Sequence, residues 1–199
     1  MTYVVATTIL LLAFLFVGYP LFVAASTRLN PFKFASKILK VAVFGFSTSS
    51  SAATLPLNVK TTVEELGVDE KIASFVLPLG MTINMNGTAV YMGVTAVFAA
   101  QIYGIDLSIG DQVIVVLTGV LAAVGTAGVP GAGLIMSTLV FTQIGLPLEV
   151  IALIAGVDRI LDMIRTSINV VGDSTTALIV SRMEGELGSE PFEEEAPKA

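Results

Sequence analysis

Long apolar stretches make up most of the chain, and its polar residues divide it into segments. The first stretch, residues 3–25, carries no charge and is long enough to span a bilayer as a helix. The loop that follows it carries Arg28, Lys33, Lys37 and Lys40. The positive-inside rule therefore places this loop in the cytoplasm and the N-terminus outside. A cleaved signal peptide is the alternative, and it fits poorly because no basic residue precedes the run.

Two later apolar stretches are interrupted in the middle by small residues. Residues 41–60 have two short apolar arms around a serine-rich centre, and residues 107–145 have two arms around a glycine-rich centre. Each arm is too short to cross a bilayer, and irregular backbone at membrane depth is tolerated only inside protein or along a cavity. Both patterns predict re-entrant helical hairpins. The alternatives are a serine-rich soluble linker for the first and a flexible loop between spanning helices for the second.

Residues 72–103 have the length of a spanning helix but contain a segment that disfavours one. That segment, GMTINMNGT at residues 80–88, is rich in glycine, asparagine and threonine, which are poor formers of helix interior. In a membrane this composition predicts a broken helix, whose freed carbonyl groups and amide side chains can hold a cation.

The last apolar stretch predicts a helix with one polar, charged face. Between Gly156 and Asp173, seven polar side chains fall within roughly a third of the helix circumference. They are Asp158, Arg159, Asp162, Arg165, Thr166, Asn169 and Asp173. Charges at membrane depth are costly and face a partner or a cavity, so this face is a candidate functional site. In a soluble protein the same pattern would be an ordinary solvent-exposed face.

The composition favours a membrane protein. Apolar residues make up 54% of the 199 residues and charged residues only 13%, whereas soluble domains carry about 25% charged residues. The absence of histidine and cysteine excludes disulfides, thiol chemistry and histidine catalysis. Much of the net charge of −6 comes from residues 184–199, which we expect to be an acidic disordered tail. No basic patch for nucleic acid is present.

These patterns predict an all-α integral membrane protein that crosses the cell (inner) membrane several times. The expected order is an ordinary transmembrane helix (1–27), a cytoplasmic loop with re-entrant hairpin 1 (28–71), a broken transmembrane helix (72–104), re-entrant hairpin 2 (105–146), a polar-faced transmembrane helix (147–183) and the tail (184–199). The two hairpins are expected to enter from opposite sides, as in the inverted repeats of secondary transporters.

Four segments resemble, in order and spacing, the signature motifs of the sodium-coupled dicarboxylate and amino-acid symporters, the glutamate transporter family. They are SSSAATLP (49–56), LPLGMTINMNGTAVY (77–91), GTAGVPGAG (125–133) and DRILDMIRTSINVVGD (158–173). The resemblance covers nearly the whole chain up to about Glu184 and corresponds to roughly the C-terminal half of a family member. It implies sodium-coupled transport of an acidic amino acid or dicarboxylate, with the substrate bound between the two hairpin tips.

The resemblance also implies substrate contacts. Asp162 matches the carboxylate that holds the substrate's amino group, Arg165 matches the arginine that pairs with its side-chain carboxylate, and Asn169 matches the residue that binds its α-carboxylate. The further implied contacts are Ser51, Thr88, Val129, Gly133 and Thr166. Some family members carry an arginine where this chain has Ser49, and we expect Arg159 to replace it. We expect Asp158 to orient one of the arginines.

Two sodium sites are implied as well. The residues that match the first are Gly80, Asn84, Asn169 and Asp173. The residues that match the second are Thr82, Ala123, Val124 and Thr126. Asn86 stands where the family has an aspartate of a third site, so we expect weaker or absent sodium binding there. Met92 replaces a glutamate of the proton-coupled members, which makes proton countertransport by that route unexpected.

The family's N-terminal half, which supplies a trimeric scaffold, has no counterpart in this sequence. Three hypotheses follow. The chain is the binding half of a sodium-coupled acidic amino-acid symporter, or it is a fragment or partner module that does not transport without a separate scaffold half. The third is an intramembrane hydrolase using a serine from residues 47–51, which is disfavoured because the sequence offers no candidate base for it.

Overall fold

The computed structural model describes residues 1–188 and Phe192, and this part of the chain is helical. Its α-helices are α1 (Thr2–Ala13), α2 (Tyr19–Thr27), α3 (Pro31–Thr48), α4 (Ser51–Glu64), α5 (Glu70–Ile83), α6 (Asn86–Ile102), α7 (Ile109–Val124), α8 (Ala132–Gln143) and α9 (Val150–Glu184). Among the described residues the β-type pairing is limited to one antiparallel bridge, between Val68 and Leu187. The all-α class predicted from the sequence holds for this part of the chain.

A π-helical turn at Phe14–Gly18 joins α1 and α2, so that Thr2–Thr27 is one continuous helix. An 18-residue window of it has a mean hydropathy of 2.3, and within the described residues it is the one helix that passes as a membrane span by length and composition. The helix ends at Arg28, which adopts a left-handed conformation, and Asn30 caps α3. The region expected to be a cytoplasmic loop is therefore a short link, and the lysines after it lie on α3.

The serine-rich and glycine-rich segments each form the turn of a helical hairpin. We call the pair α3 and α4 hairpin 1, and the pair α7 and α8 hairpin 2. In hairpin 1, Ser49 has a φ of 51° and the Ser50 side chain accepts a hydrogen bond from the first turn of α4. In hairpin 2, the chain leaves α7 at Gly125 and enters α8 through Gly131, whose φ of 78° suits a residue without a side chain.

The chain is not helical between α5 and α6. Asn84 and Met85 connect the two helices with dihedral angles outside the helical region. The N–H of Asn84 still bonds to the carbonyl of Gly80, which ends α5. Polar groups of the backbone and of both asparagines, Asn84 and Asn86, are therefore concentrated at one break inside an apolar structure.

The buried apolar side chains form two clusters that share α9. The first lies around hairpin 1 and α5, and includes Phe34 and Ile168. The second lies around α6 and hairpin 2, and includes Phe141 and Leu161. The polar face of α9 passes from one cluster to the other, so its charged residues lie where the two clusters meet.

The chain turns back after α9. Gly185 has a φ of 76°, and the N–H of Gly188 donates a 2.9 Å hydrogen bond to the carbonyl of Gly67 in the link between α4 and α5. The rest of the predicted acidic tail, apart from Phe192, lies outside the described residues.

Candidate functional site

The polar face of α9 is buried, with one exception. Six of its seven side chains are less than a tenth exposed: Asp158, Asp162, Arg165, Thr166, Asn169 and Asp173. Arg159 is exposed and lies outside this buried group. The structure thus brings the implied substrate ligands on α9 together but leaves Arg159 apart, and its role as a replacement for an arginine at Ser49 stays a prediction.

Arg165 lies at the centre of a buried ion cluster and is 1% exposed. Its Nη2 donates a 2.7 Å hydrogen bond to Oδ1 of Asp162, and its Nη1 lies 3.1 Å from Oδ1 of Asp158. The second contact is an ion pair without hydrogen-bond geometry. The guanidinium also stacks over the Tyr91 ring, 3.8 Å from its centroid. Two carboxylates and one aromatic ring therefore compensate a charge that is costly to bury.

The tip of hairpin 2 closes over this cluster. The N–H of Gly131 donates a 3.0 Å hydrogen bond to Oδ2 of Asp162, at the N-terminus of α8, where a negative charge is favoured. A Cβ atom on Gly133 would lie 3.1 Å from the guanidinium carbon of Arg165. Glycine at this position lets the backbone of α8 rest directly on the arginine.

The tips of the two hairpins touch each other. The Ser50 hydroxyl donates a 2.9 Å hydrogen bond to the carbonyl of Gly128, which also accepts one from the N–H of Ala52 at 3.2 Å. The implied contact Ser51 is buried beside Gly128, whereas Val129 at the same tip is 51% exposed. Ser51 thus belongs to the junction of the tips, and Val129 lies on its outer side.

Asn169 connects α9 to the start of α6. Its Nδ2 donates to the Thr88 hydroxyl at 3.1 Å, and its Oδ1 accepts from the N–H of Gly87 at 2.9 Å. A Cβ atom on Gly87 would lie 2.8 Å from the carbonyl oxygen of Arg165. The NGT sequence thus supplies a glycine for close helix approach and a threonine hydroxyl beside the implied α-carboxylate ligand.

The residues of the first implied sodium site also meet at the helix break. Oδ1 of Asp173 accepts a 2.8 Å hydrogen bond from Nδ2 of Asn84, which also reaches the carbonyl of Asn169 at 3.4 Å. A Cβ atom on Gly80 would lie 2.6 Å from Oδ1 of Asp173. A buried carboxylate that packs against Gly80, together with the carbonyl oxygens of Gly80 and Asn169, forms a donor set that suits a hard cation such as sodium.

In the second implied sodium site, Thr82 lies on α5, Ala123 and Val124 lie at the end of α7, and Thr126 follows that end. Helices α5 and α7 approach each other. However, the hydroxyl of Thr82 donates to the carbonyl of Leu79, and that of Thr126 donates to the carbonyl of Ala122, each at 2.8 Å. The Ala123 carbonyl accepts the N–H of Thr126. Val124, the remaining member, is 44% exposed. This site stays a prediction.

The sequence analysis missed four residues that contact the site residues or the helices that carry them. They are Tyr19, Asn58, Met85 and Tyr91. Tyr91 lies under Arg165, and the Met85 sulfur lies 3.0 Å from Nδ2 of Asn169. No pattern in the sequence identified Tyr91, because its ring makes the contact with Arg165 while its hydroxyl is buried without a hydrogen-bond partner among the described residues. Tyr19 and Asn58 lie in segments where the pattern predicted only apolar helix.

Comparison with known proteins identifies the chain's relatives. The model of the sodium:dicarboxylate symporter family matches residues 1–183. A putative sodium-dependent excitatory amino acid transporter, glt-4, of Caenorhabditis elegans is 44% identical over 92% of this chain and 37% of its own length. Excitatory amino acid transporter 2 of Homo sapiens is 48% identical over 81% of this chain and 28% of its own. Excitatory amino acid transporter 1 of Rattus norvegicus is 42% identical over 91% of this chain and 33% of its own length.

The chain thus spans about a third of the length of the curated relatives it matches. The family is one of sodium-coupled membrane transporters and not of enzymes, which excludes the hydrolase hypothesis. The family match extends over the helix break, both hairpins and the charged face of α9. This chain therefore belongs to the sodium:dicarboxylate symporter family.

Proposed function

We propose that the chain forms the substrate- and sodium-binding half of a sodium-coupled symporter for acidic amino acids, aspartate or glutamate. The observation that carries this proposal is the buried cluster of Asp158, Asp162 and Arg165 beneath the tip of hairpin 2. A zwitterion with an additional carboxylate complements this cluster, because its ammonium group suits Asp162 and its side-chain carboxylate suits the fork of Arg165.

Substrate binding would replace one ion pair within the protein by two ion pairs between the protein and the substrate. Arg165 and Asp162 pair with each other in the structure. The substrate's ammonium group would pair with Asp162, and its side-chain carboxylate would pair with Arg165. Asp158 would stay beside the guanidinium. Asp162 and Arg165 then both keep charged partners, which matters because an unpaired buried charge is strongly destabilising. A neutral amino acid would break the pair between Arg165 and Asp162 without supplying a second carboxylate for Arg165.

The remaining implied contacts would complete the substrate site. Asn169 would bind the α-carboxylate through its amide, next to Thr166. The hydroxyl of Thr88 already contacts Asn169. Ser51, Val129 and Gly133 would contribute from the two hairpin tips, and Arg159 would act from the edge of α9.

Sodium would provide the charge that this exchange needs. An acidic amino acid brings a net negative charge into a cluster that already holds two aspartates and one arginine. A cation at Gly80, Asn84, Asn169 and Asp173 would offset it from the neighbouring turn of α9. The second site, at Thr82, Ala123, Val124 and Thr126, would need these oxygens to turn toward each other. Asn86 offers an amide oxygen without charge, so Asn86→Asp is expected to change the sodium dependence of substrate binding.

In the membrane, we propose that hairpins 1 and 2 are re-entrant and enter from opposite sides of the cell (inner) membrane. Their arms have 18 and 14 residues in hairpin 1 and 16 and 12 in hairpin 2. The meeting of the two tips supports this arrangement, because each tip then satisfies backbone groups of the other away from lipid.

Isothermal titration of the purified chain with aspartate and glutamate, at several sodium concentrations, tests the proposal. We expect binding whose affinity rises with sodium, and no comparable binding of alanine. Binding that does not depend on sodium, or no binding of either acidic amino acid, would contradict the proposal.

Because the chain spans only about a third of its relatives' length, we also propose a second function for testing. In it the chain is a binding module that does not transport without a separate scaffold half or a trimer. Alternating access needs one bundle to move against another. Proteoliposomes with the chain alone, and with a co-expressed N-terminal half of a relative, should be compared for uptake of labelled aspartate under a sodium gradient. Uptake only with the second chain supports the module, and uptake by the chain alone supports a complete transporter.

A further inference from the structure

A series of hydrogen bonds connects the first helix to the helix break. The Tyr19 hydroxyl accepts a 3.1 Å hydrogen bond from Nδ2 of Asn86, which also donates to Oδ1 of Asn84 at 2.7 Å. Nδ2 of Asn84 in turn donates to Oδ1 of Asp173 at 2.8 Å. We call this series the Tyr19–Asp173 network. None of its members except Asp173 carries a charge.

The position of the Tyr19 hydroxyl is fixed by packing. Tyr19 is 4% exposed, and its ring makes an edge contact with Phe14 at a centroid distance of 5.0 Å. A Cβ atom on Gly172 of α9 would lie 2.3 Å from the Tyr19 hydroxyl and 2.5 Å from Nδ2 of Asn84. The absence of a side chain at Gly172 therefore admits both polar groups against the backbone of α9, one residue before Asp173.

The network determines which end of the Asn84 amide faces Asp173. Asn86 uses the Asn84 oxygen, so the amino group of Asn84 is directed to the carboxylate of Asp173. The same carboxylate oxygen occupies the space that a side chain at residue 80 would fill, which is available because Gly80 has none. The carboxylate is thus held in one orientation beside the helix break, and a preorganised ligand binds an ion more tightly than one that must first be ordered.

We propose that Tyr19 is a positioning residue for sodium binding at Asp173, acting through Asn86 and Asn84 and not as a ligand itself. The inference rests on the proposed function for the existence of that sodium site. Tyr19 belongs to the first helix and none of the implied ligands does, so the first helix takes part in setting sodium affinity.

The test compares the full chain with Tyr19→Phe, which removes the hydroxyl and keeps the ring. Tyr3→Phe is the matched control, since Tyr3 is a second buried tyrosine of the same helix whose hydroxyl bonds to Thr95 instead. Melting temperature in detergent is followed against sodium concentration, with choline replacing sodium and without any amino acid. We expect Tyr19→Phe to need about three- to tenfold more sodium for half-maximal stabilisation, as befits the loss of one hydrogen bond. Tyr3→Phe should keep the wild-type midpoint.

Asn86→Ala provides a second variant, because it breaks the same network at an exposed residue. Since Asn86 is itself an implied sodium ligand, its coupling to Tyr19→Phe, and not its single shift, reports on the network. We expect it to shift the sodium midpoint in the same direction, and the double variant with Tyr19→Phe to shift it no further than the larger single change. A purely structural role of Tyr19 would instead lower the melting temperature equally at all sodium concentrations.

The outcomes separate this inference from the proposed function. Equal sodium midpoints for wild type, Tyr19→Phe and Asn86→Ala, or no sodium-specific stabilisation of the wild type, overturn the inference. Sodium stabilisation that is sensitive to Tyr19, together with no aspartate binding at saturating sodium, leaves the inference standing and overturns the proposed substrate.

Discussion

Hairpins 1 and 2 have the same outline, yet they are attached to α9 in different ways. Hairpin 1 is attached along its arms by uncharged groups. Nδ2 of Asn58 donates to the carbonyl of Val170 at 2.9 Å, and Oδ1 of Asn58 accepts from the hydroxyl of Ser174. The Ser167 hydroxyl donates to the carbonyl of Ala42 at 2.8 Å. None of the residues in these hydrogen bonds is an implied ligand.

Hairpin 2 is attached to α9 at its tip, through the charged residues. Gly131 donates to Asp162, and Gly133 rests on Arg165. Along its arms the hydroxyls of Thr118 and Ser137 bond to carbonyls of their own helices. The groups that hold this tip are those that we propose bind the substrate. We therefore expect substrate to compete with the attachment of the hairpin 2 tip to α9, and to leave the attachment of the hairpin 1 arms to α9 unaffected.

The largest effect is expected from Asp162→Asn, which tests the charged attachment. The amide keeps an oxygen for the N–H of Gly131 but loses the charge that would hold the substrate's ammonium group. We expect aspartate affinity in titration to fall by about a hundredfold or more, since removing one partner of a buried charge pair costs about 2–5 kcal/mol. An affinity within a few-fold of wild type would show that Asp162 attaches the tip without binding the ligand.

Asn58→Leu tests the uncharged attachment. Leucine has a similar size but cannot bond to Val170 or Ser174, which leaves buried polar groups unpaired. We expect the free energy of unfolding, measured by denaturant titration in detergent, to fall by about 2 kcal/mol. Aspartate affinity should stay within about threefold. Thr118→Val is the control, because the Thr118 hydroxyl bonds only within its own exposed helix face. A large loss of affinity in Asn58→Leu would contradict the division between the hairpins.

Gly133→Ala is expected to have an intermediate effect on ligand binding. The added methyl group would meet the guanidinium of Arg165 at about 3.1 Å, so the tip or the arginine must shift. We expect aspartate affinity to fall about tenfold, corresponding to about 1.4 kcal/mol. Gly156→Ala on α9 is the control, since nothing lies within 4 Å of its added Cβ. It should keep wild-type affinity and increase stability, because alanine is the better helix former.

The smallest effect is expected from Ser50→Ala, which loosens the junction between the two hairpin tips. It removes the hydrogen bond to the carbonyl of Gly128 and the cap of α4. We expect amide hydrogen exchange in residues 126–131 to become about fivefold faster. This corresponds to a decrease of about 1 kcal/mol in the free energy of local opening. Ser108→Ala removes a comparable cap at the start of α7, away from the tips. Equal exchange rates at the tip in both variants would show that the hairpins open independently.

The polar face of α9 was predictable because helical periodicity and the cost of buried charge both act within one element. Arg159 is exposed although the same reasoning included it, and it lies at one edge of the predicted arc, where a small rotation decides between burial and exposure. The region after Arg28 was expected to be a loop because of its lysines. However, Asn30 followed by Pro31 is a strong helix start, and lysine is compatible with a helix.

The rest of the site depends on contacts between elements that are distant in sequence. Tyr19 and Asn86 are separated by 67 residues, and Asn58 and Val170 by 112. Each partner looks ordinary in its own segment, since an asparagine or tyrosine in an apolar helix does not reveal which carbonyl or amide it meets. The composition of residues 80–88 predicts that α5 and α6 are separated, but the direction of each amide is set only by packing against α9.

The π-helical turn at Phe14–Gly18 has a consequence for inheritance. A π turn holds one more residue than an α turn, so it fixes the rotation between Tyr3 at one end of the helix and Tyr19 at the other. Tyr3 bonds to Thr95, and Tyr19 contacts Asn86. Deleting one residue here would restore a regular α-helix and leave both tyrosines facing their partners, whereas inserting a further residue that the helix does not absorb would rotate one tyrosine by about 100° from its partner. Relatives of this chain should therefore tolerate the loss of one residue in this segment better than the gain of one.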